Sequence, residues 1–326
     1  MKTMTLSRVR VVAGLCLGLL LGGGGCVGSE LDDPAPLERG GLSQAFTASN
    51  GLSTNGLSTN GLSTNGLSTN GLSTNGLSTN GLSALSFTTW FNGNASVAYS
   101  DMVMKYVVAC ALPSGQTRVW TNPTTGVSYS WPGALGLATG WAQGNAATVA
   151  EQQRLSACLA AHVNKFGVAV PISVRGRDAT GAAIPVTSSE AADYSEPEAC
   201  FFGNLFTAEG IYVGNDRVLK KSESTARACG LSAQGPGGSV ECAPLQHVGR
   251  CATVCTRDKT HSFWMSCVVN GITYEPLTTQ LRPQDIYQCG DGTCQFTESC
   301  GGGGTYDSCS SDCGTCEAPR SDSKHP

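Results

Sequence analysis

The sequence is poor in charged residues and in histidine. Only 13% of its 326 residues are charged, four are histidine, and the formal net charge is −4. A protein that binds nucleic acid through the phosphates needs a basic surface, which this balance does not supply. We therefore expect no nucleic acid among the partners of this chain.

Several motifs of hydrolases and nucleotide-binding enzymes are also missing. The chain has no H-E-x-x-H zinc motif, no P-loop and no G-x-S-x-G nucleophile elbow. Around Ser239, Gly237 provides the first glycine of an elbow, but Glu241 stands in place of the second. No residue is assigned a catalytic role, and the sequence favours a binding or structural protein over an enzyme.

No apolar run is long enough to cross a membrane as a helix, which takes about 20 residues. The most apolar stretch, VVAGLCLGLLL at 11–21, follows Lys2, Arg8 and Arg10. A basic start before a short apolar run is typical of a signal peptide. We assign 1–25 to this signal and expect an exported protein.

The signal leads through GGGG to Cys26. Small residues directly before a cysteine resemble a bacterial lipobox, although Gly23 stands where leucine is usual. The resemblance implies that Cys26 is lipidated and anchors the protein in a membrane, at the outer membrane or the cell surface. The alternative is ordinary cleavage and release. Residues 26–50 are polar and interrupted by prolines, which predicts a disordered spacer.

Residues 51–83 repeat the unit GLSTN six times and end on GLS. One leucine per unit buries too little apolar surface to offset the entropy of ordering the backbone, so this low-complexity repeat is expected to form a flexible stalk. The alternative is a short β-solenoid, because a fixed period and Asn-Gly turns suit stacked coils. The segment loosely resembles pentapeptide-repeat proteins, but with asparagine and glycine as the two residues before each leucine.

The chain has sixteen cysteines, and fourteen of them follow the repeat. Eight fall in the predicted core domain, 84–285, and six in a small Cys-rich C-terminal module, 286–318. An even number of cysteines in each part of an exported chain indicates that they form disulfides. All fourteen are expected to be bridged: Cys110, Cys158, Cys200, Cys229, Cys242, Cys251, Cys255, Cys267, Cys289, Cys294, Cys300, Cys309, Cys313 and Cys316. Cys110 and Cys158 each lie on the apolar stripe of a predicted helix, so we expect them to pair.

The core is predicted to be a disulfide-stabilised α+β domain, with helices early and antiparallel strands late. Apolar residues recur at helical spacing after Ser100 and again over 146–166, where Gly167 marks the end of the helix. TRVWT and GVSYSW alternate around Asn122-Pro123 and predict a hairpin. Asn270-Gly271 predicts a second hairpin with a type I′ turn.

Three stretches of the core domain carry a family resemblance. YVVACALPSGQT, GALGLATGW and ACLAAHVNKFGVAVPISVRG, all in its first half, resemble an uncharacterised family of exported bacterial proteins. The resemblance implies a shared fold and no established activity.

The histidines near cysteines are the candidates for a chemical site. His162 lies four residues after Cys158 on one helix face, a spacing that could serve a metal or a thiol–imidazole pair. His247 and His261 lie near later cysteines and could join a zinc cluster. The apolar neighbours of His162 favour a packed core histidine instead, and the cysteines of an exported chain favour pairing with one another.

The C-terminal module packs six cysteines into residues 289–316, with almost no apolar core. CGDGTC, followed by Glu-x-Cys and Asp-Cys-Gly, resembles small modules of many secreted proteins, with GGGG at 301–304 lengthening one loop. Four acids of the kind that calcium binds lie here: Asp291, Glu298, Asp307 and Asp312. Calcium binding is therefore one prediction, and a module held by disulfides alone is the alternative.

These features together predict a surface-displayed lipoprotein with a non-enzymatic binding or structural role and an extracellular or cell-surface ligand. A lipid anchor, a stalk, a core domain and a Cys-rich module follow one another, with a disordered tail at 319–326. The alternative is an exported hydrolase that acts on a cell-wall or extracellular polymer. A buried, paired carboxylate beside His162, His247 or His261 in a cleft would favour the hydrolase, and a closed core would favour the binding protein.

Overall fold

The computed structural model describes most of the chain between residues 75 and 316. The described ranges are 75–94, 96–164, 170–207, 209–217, 219–220, 222–225, 227, 245–257, 263–295, 298, 300 and 308–316, preceded by two short strands at 47–49 and 52–53. This part of the chain is a mixed α+β fold, as predicted. Five predicted site residues lie outside the described residues: Cys26, Cys229, Cys242, His261 and Asp307. The predicted signal and tail also lie outside them, as does the predicted spacer apart from its last strand.

A six-stranded sheet forms the centre of the fold. Its strands lie in the order β1 (Thr47–Ser49), β6 (Pro171–Arg175), β14 (Leu277–Leu281), β7 (Glu196–Asn204), β8 (Gly210–Asn215) and β10 (Leu245–Arg250). Neighbours are antiparallel, except that β8 and β10 are parallel. β14 comes late in the chain but lies between β6 and β7, so it joins the early and late parts of the domain.

Smaller sheets surround this centre. They are β3 (Thr117–Thr121) with β4 (Ser128–Pro132), β11 (Cys255–Arg257) with β12 (Trp264–Val269) and β13 (Ile272–Tyr274), β9 (Glu223–Thr225) with β15 (Ile286–Gln288), and β2 (Leu52–Ser53) with β5 (Val163–Asn164). Both predicted hairpins are present, and Asn270 and Gly271 have φ angles of 54° and 78°, as a type I′ turn requires. β15 pairs with a core strand, so the first residues of the predicted C-terminal module belong to the core.

The described helices are short to medium in length. They are α1 (Thr79–Leu82), α2 (Leu85–Gly93), α3 (Val97–Ala111), α4 (Thr139–Ala142), α5 (Val149–Ala161), α6 (Ser188–Asp193), α7 (Cys251–Val254) and α8 (Ser310–Cys313), with a 3-10 turn at Pro283–Asp285. Among the described residues, no helix has both the length and the apolar character needed to cross a membrane.

Helix α5 packs across β7 and begins at a capping box. Thr148 Oγ1 accepts a hydrogen bond from the Glu151 backbone at 3.3 Å, and the Glu151 carboxylate accepts one from the Thr148 backbone at 3.0 Å. The prediction of a helix over 146–166 was wrong at both ends. The helix stops at Ala161, because His162 turns its ring back to hydrogen-bond the carbonyl of Cys158 and caps the helix.

Aromatic side chains fill the core beneath β3 and β4. Trp120 and Trp131 stack with ring centres 6.5 Å apart, and the ring of Phe91 lies 4.7 Å from that of Trp120. Side chains alternate between the two faces of a strand, so the same hairpin exposes Val119 on its other face. Burial of these large rings fixes the hairpin on α2 and α3.

The last copies of the repeat belong to the folded domain. Leu77 is fully buried and Leu82 is 4% exposed, although the sequence predicts a stalk up to residue 83. A repeat unit cannot bury its own leucine, but here the core supplies the apolar surroundings, and burial of one leucine stabilises by about 1.5–3 kcal/mol. The prediction of a tether or a solenoid for 54–74 falls outside the described residues.

Candidate functional site

An open groove separates the docked end of the repeat from hairpin β3–β4. Its volume is about 480 Å³. One wall consists of repeat residues, namely Leu77, Ser78, Thr79, Leu82 and Ser83, and the other consists of 118–121 on β3. Ala142 and Gln143 line one part of it. The groove therefore forms between segments that are about 40 residues apart in the sequence.

Among the described residues, strand β3 pairs with β4 alone, so its other edge carries no strand partner there. Gly133 donates to the Gln116 carbonyl at 2.7 Å, and Asn122 donates to the Val127 carbonyl at 2.8 Å. Hydrogen-bonded pairs alternate along an antiparallel ladder, so the even-numbered residues of β3 face β4. The N–H and C=O groups of Val119 and Thr121 therefore point outwards, and both residues line the groove.

Arg118 joins the repeat to the rest of the domain at the bottom of this groove. Its Nε donates to the Leu77 carbonyl at 2.9 Å, and its Nη2 donates to the Ala142 carbonyl at 2.9 Å. The guanidinium group thus bridges two backbone segments. These two hydrogen bonds make Arg118 a structural clamp. The remaining polar features of the groove are its hydroxyl groups, the Gln143 amide and the strand edge.

Glu198 on β7 and Arg227 form a buried ion pair. Arg227 Nε lies 2.8 Å from Glu198 Oε1, and the two side chains are 1% and 3% exposed. Thr279 donates to the other carboxylate oxygen at 2.6 Å, and Arg227 also donates to the Ala161 carbonyl. Burial raises the pKa of Glu198, while Arg227 opposes this rise. The pair ties β7, β14 and the end of α5 together and is closed to a substrate.

His162 is a packed core histidine, as its apolar neighbours indicated. Its Nδ1 donates to the Cys158 carbonyl at 2.7 Å, and its ring centre lies 5.3 Å from that of Tyr106. Burial and the nearby charge of Arg227 together lower the pKa of His162 to about 4, although the hydrogen bond to the Cys158 carbonyl opposes this change. Cys158 is bonded to Cys110, so no thiol is present to form a thiol–imidazole pair.

His247 lies half-buried on β10. Its Nδ1 accepts a weak hydrogen bond from the Gly249 backbone at 3.4 Å, and burial lowers its pKa. Within the described part of the chain, neither the His162 ring nor the His247 ring is hydrogen-bonded to a carboxylate. The buried acid–histidine pair that would favour a hydrolase is not formed by these two histidines.

The described cysteines are joined in six disulfides. In the core the pairs are Cys110–Cys158, Cys200–Cys251 and Cys255–Cys267, and in the module they are Cys289–Cys309, Cys294–Cys313 and Cys300–Cys316. The first is the pair expected from the two helical stripes. The sulfurs of Cys200 and Cys255 approach to 3.7 Å, so two bridges pack side by side. These cysteines are used in bridges and leave no thiolates for the considered zinc cluster.

In the C-terminal module, the carboxylate of Asp312 is held by backbone donors. Gly290 donates to it at 2.6 Å, and Asp291 and Gly292 each donate at 3.2 Å. Desolvation raises the pKa of Asp312, but these three hydrogen bonds and one from the Ser311 side chain together outweigh it, so the net change is a lowered pKa. Asp312 thus shapes the CGDG loop whether or not a cation binds.

Two other predicted calcium ligands lie near Asp312. Asp291 accepts hydrogen bonds from Thr293 and Gln295, both at 2.8 Å. Burial raises the pKa of Glu298, and the charges of Asp312 and Asp291 raise it further. Three of the four acids are therefore close enough to repel one another, and calcium binding stays a prediction.

The comparison with known families identifies the repeat. The GLTT repeat family matches residues 48–73 and 66–90 with six copies. The match thus extends past the stalk predicted from the sequence into α2. Neither the curated proteins nor the solved structures gave a match to this chain.

Two features, the groove and the buried ion pair, were not predicted from the sequence. The groove brings together the repeat and a hairpin, and no local pattern links the two. Arg227 and Glu198 are buried partners from separate segments, and no local sequence pattern links the two. One sequence signal pointed towards the groove. The alternation in TRVWT predicts a strand with one buried face and one exposed face, and the exposed face borders the groove.

Proposed function

We propose that this protein is an exported lipoprotein, anchored through Cys26, whose domain binds an extended peptide in the groove beside β3. The outward-facing backbone groups of Val119 and Thr121 carry the peptide-binding part of the proposal. An extended peptide that pairs with a free strand edge gains main-chain hydrogen bonds, and neighbouring pockets then select its side chains. The lipid anchor and the exported location rest on the sequence around Cys26.

The composition of the groove supports a peptide ligand. Val119 is 64% exposed and offers an apolar contact beside its own backbone donor and acceptor. Thr121 Oγ1 and Ser128 Oγ lie 2.8 Å apart on the outer face of the hairpin and add hydroxyl groups. A strand edge, one apolar side chain and several hydroxyls suit a neutral extended chain better than a highly charged ligand.

The hydrogen bonds of two buried acids, Glu198 and Glu151, support binding over hydrolysis. Glu198 is engaged by Arg227 and Thr279. Glu151 is engaged by Thr148, with further hydrogen bonds from the backbone of Gly140 at 2.8 Å. Groups with structural partners of this kind are not free to transfer protons to a substrate.

The test of the groove uses a library of random peptides displayed on phage and selected against the oxidised full-length protein. Val119→Pro removes the outward N–H while keeping a backbone suited to an edge strand. Val127→Ala, at an exposed turn residue, is the matched control. Selected peptides should bind the wild type and the control alike, and Val119→Pro about tenfold more weakly, a difference of about 1.4 kcal/mol. Equal binding to all three proteins would refute a site at this edge.

The test of the anchor is independent of the groove. Cells that produce the protein are grown with a fatty-acid probe, and the protein is isolated and examined for label. The wild type should be labelled, and Cys26→Ser should not be. Equal labelling of both would refute lipidation at Cys26 and leave the groove proposal untouched.

A further inference from the structure

We infer that the domain contains a binding site for the pattern G-L-S-x-x-G-L, and that upstream copies of the repeat in the same chain can occupy it in place of residues 76–82. The repeat seat, as we call it, consists of Arg118, Trp141, Ala142 and Gly144 with the adjoining core. In this structure it holds the last copies of the repeat.

The seat holds both leucines of the pattern. Leu77 and Leu82 lie in the main hydrophobic core, beside Trp141 and Ala142. The Leu77 carbonyl is held by Arg118 Nε at 2.9 Å. A segment without two leucines at this spacing would leave core volume unfilled, which is costly.

The bound conformation requires both glycines of the pattern. Gly76 has a φ of +51°, and a Cβ there would lie 1.5 Å from the Trp141 carbonyl oxygen. A Cβ at Gly81 would lie 2.0 Å from the Gly76 carbonyl oxygen. No side chain fits at either position without movement of the backbone. Trp141 of the seat excludes a side chain at the first glycine, and the turn of the bound segment itself excludes one at the second, so the bound form requires glycine five residues apart.

The serine of the pattern closes the bound turn. Ser78 Oγ donates to the Asn75 carbonyl at 2.6 Å and accepts from the Gly81 backbone at 3.3 Å, which caps α1. Thr79 and Asn80 are exposed. The seat thus contacts the glycines, leucines and serine and leaves the two residues between them in solvent.

The chain presents this pattern repeatedly. It begins at Gly76, and also at Gly51 and at every fifth residue between them. Each upstream window offers the seat the same side chains as the window bound here. Because these windows belong to the same chain as the seat, binding of one of them is intramolecular, and its effective concentration is on the order of millimolar.

The residues that follow the bound window leave room for this exchange. Ser83 is exposed, and the next helix begins with Leu85, which is 80% exposed. If the window from Gly71 occupied the seat, residues 79–83 would form an additional loop at this surface. The entropic cost of loop closure grows slowly with length, so five looped residues add little.

The experiment compares the unfolding midpoints of three full-chain variants with the wild type. Leu82→Ser disables the bound window but leaves the window from Gly71 intact. The upstream variant replaces the repeat leucines Leu57, Leu62, Leu67 and Leu72 with serine and keeps Leu52, which belongs to strand β2. The combined variant carries all these changes, so no window with two leucines remains.

The upstream variant should unfold at the wild-type temperature, because its bound window is unchanged. Leu82→Ser should unfold a little lower, and the combined variant should lose a further 5 °C or more, roughly what loss of a buried leucine costs a domain of this size. A synthetic peptide of two repeat units should raise the midpoint of the combined variant, and its leucine-to-serine analogue should not.

Equal midpoints for Leu82→Ser and the combined variant would overturn the inference, because upstream copies would then contribute nothing. A peptide without effect at millimolar concentration would overturn the claim that the seat binds the pattern. If the midpoint of Leu82→Ser rose with protein concentration, the replacing copy would come from a second molecule, and the assignment to the same chain would be wrong.

Discussion

Replacing His162 with asparagine should remove a pH dependence from the stability of this protein. In the folded state the pKa of His162 is lowered from 6.5 to about 4, first by burial and then by the nearby charge of Arg227. The unfolded chain therefore binds one more proton than the folded chain between these two values. Stability is complete above about pH 6.5 and declines as the pH falls towards 4.

The size of the effect follows from the shift of the pKa. One pKa unit corresponds to about 1.4 kcal/mol, and a group that titrates at about 4 when folded and 6.5 when unfolded costs about 2 kcal/mol between pH 7 and pH 5. Asparagine keeps an N–H near the position of Nδ1, so it can still donate to the Cys158 carbonyl. It has no ionisable group, and the pH-dependent part should vanish.

The assay is urea unfolding at pH 7, 6 and 5 with the disulfides intact, followed by circular dichroism. The informative quantity is the difference in unfolding free energy between wild type and His162→Asn at each pH. Glu198, whose pKa is raised, contributes with the opposite sign in both proteins, and this contribution cancels in the difference. A difference that does not change with pH would refute the reasoning, because His162 would then ionise equally in both states.

Three further predictions concern the acids and the cysteines. Glu151→Gln should lower the free energy of unfolding by about 1 kcal/mol at pH 7, because it weakens the capping box at the start of α5. This loss should fade as the pH drops below 4.5, where the wild-type carboxylate is itself protonated. An unchanged stability at pH 7 would contradict this prediction. Calcium should raise the thermal midpoint of the wild type over that measured in chelator, and Asp291→Ala should abolish the rise; identical midpoints for the wild type would leave disulfides as the support of the module. Alkylation of the denatured, unreduced protein should modify none of the cysteines from Cys110 onward, and four or more modified residues would indicate metal ligation instead.

The elements with strong local signals were predictable from the sequence. The hairpin at Asn270-Gly271 follows from residues that accept a positive φ, and the Cys110–Cys158 bridge follows from two apolar helical stripes. Helix α5 was predicted too long, because a histidine at its end competes for the helix carbonyls, and periodicity does not register that competition.

The groove and the buried ion pair depend on contacts between distant segments. Arg227 lies in a region for which the sequence pattern predicts no particular element, yet its side chain is almost completely buried and pairs with Glu198. Likewise, Leu77 appears in the sequence as one more copy of a solvated repeat. Only the fold shows that a core cavity of matching shape surrounds it.

The position of the last repeat copies has a consequence for how such a gene can vary. Tandem copies of a short coding unit are gained and lost easily during replication. Here, loss or gain of one whole unit still presents Gly76, Leu77 and Leu82 equivalents to the core, since each copy is identical to the next. The domain therefore keeps its fold while the segment between β2 and the docked copies changes in length by a fixed step. Selection can act on the length of this segment without risk to the stability of the domain.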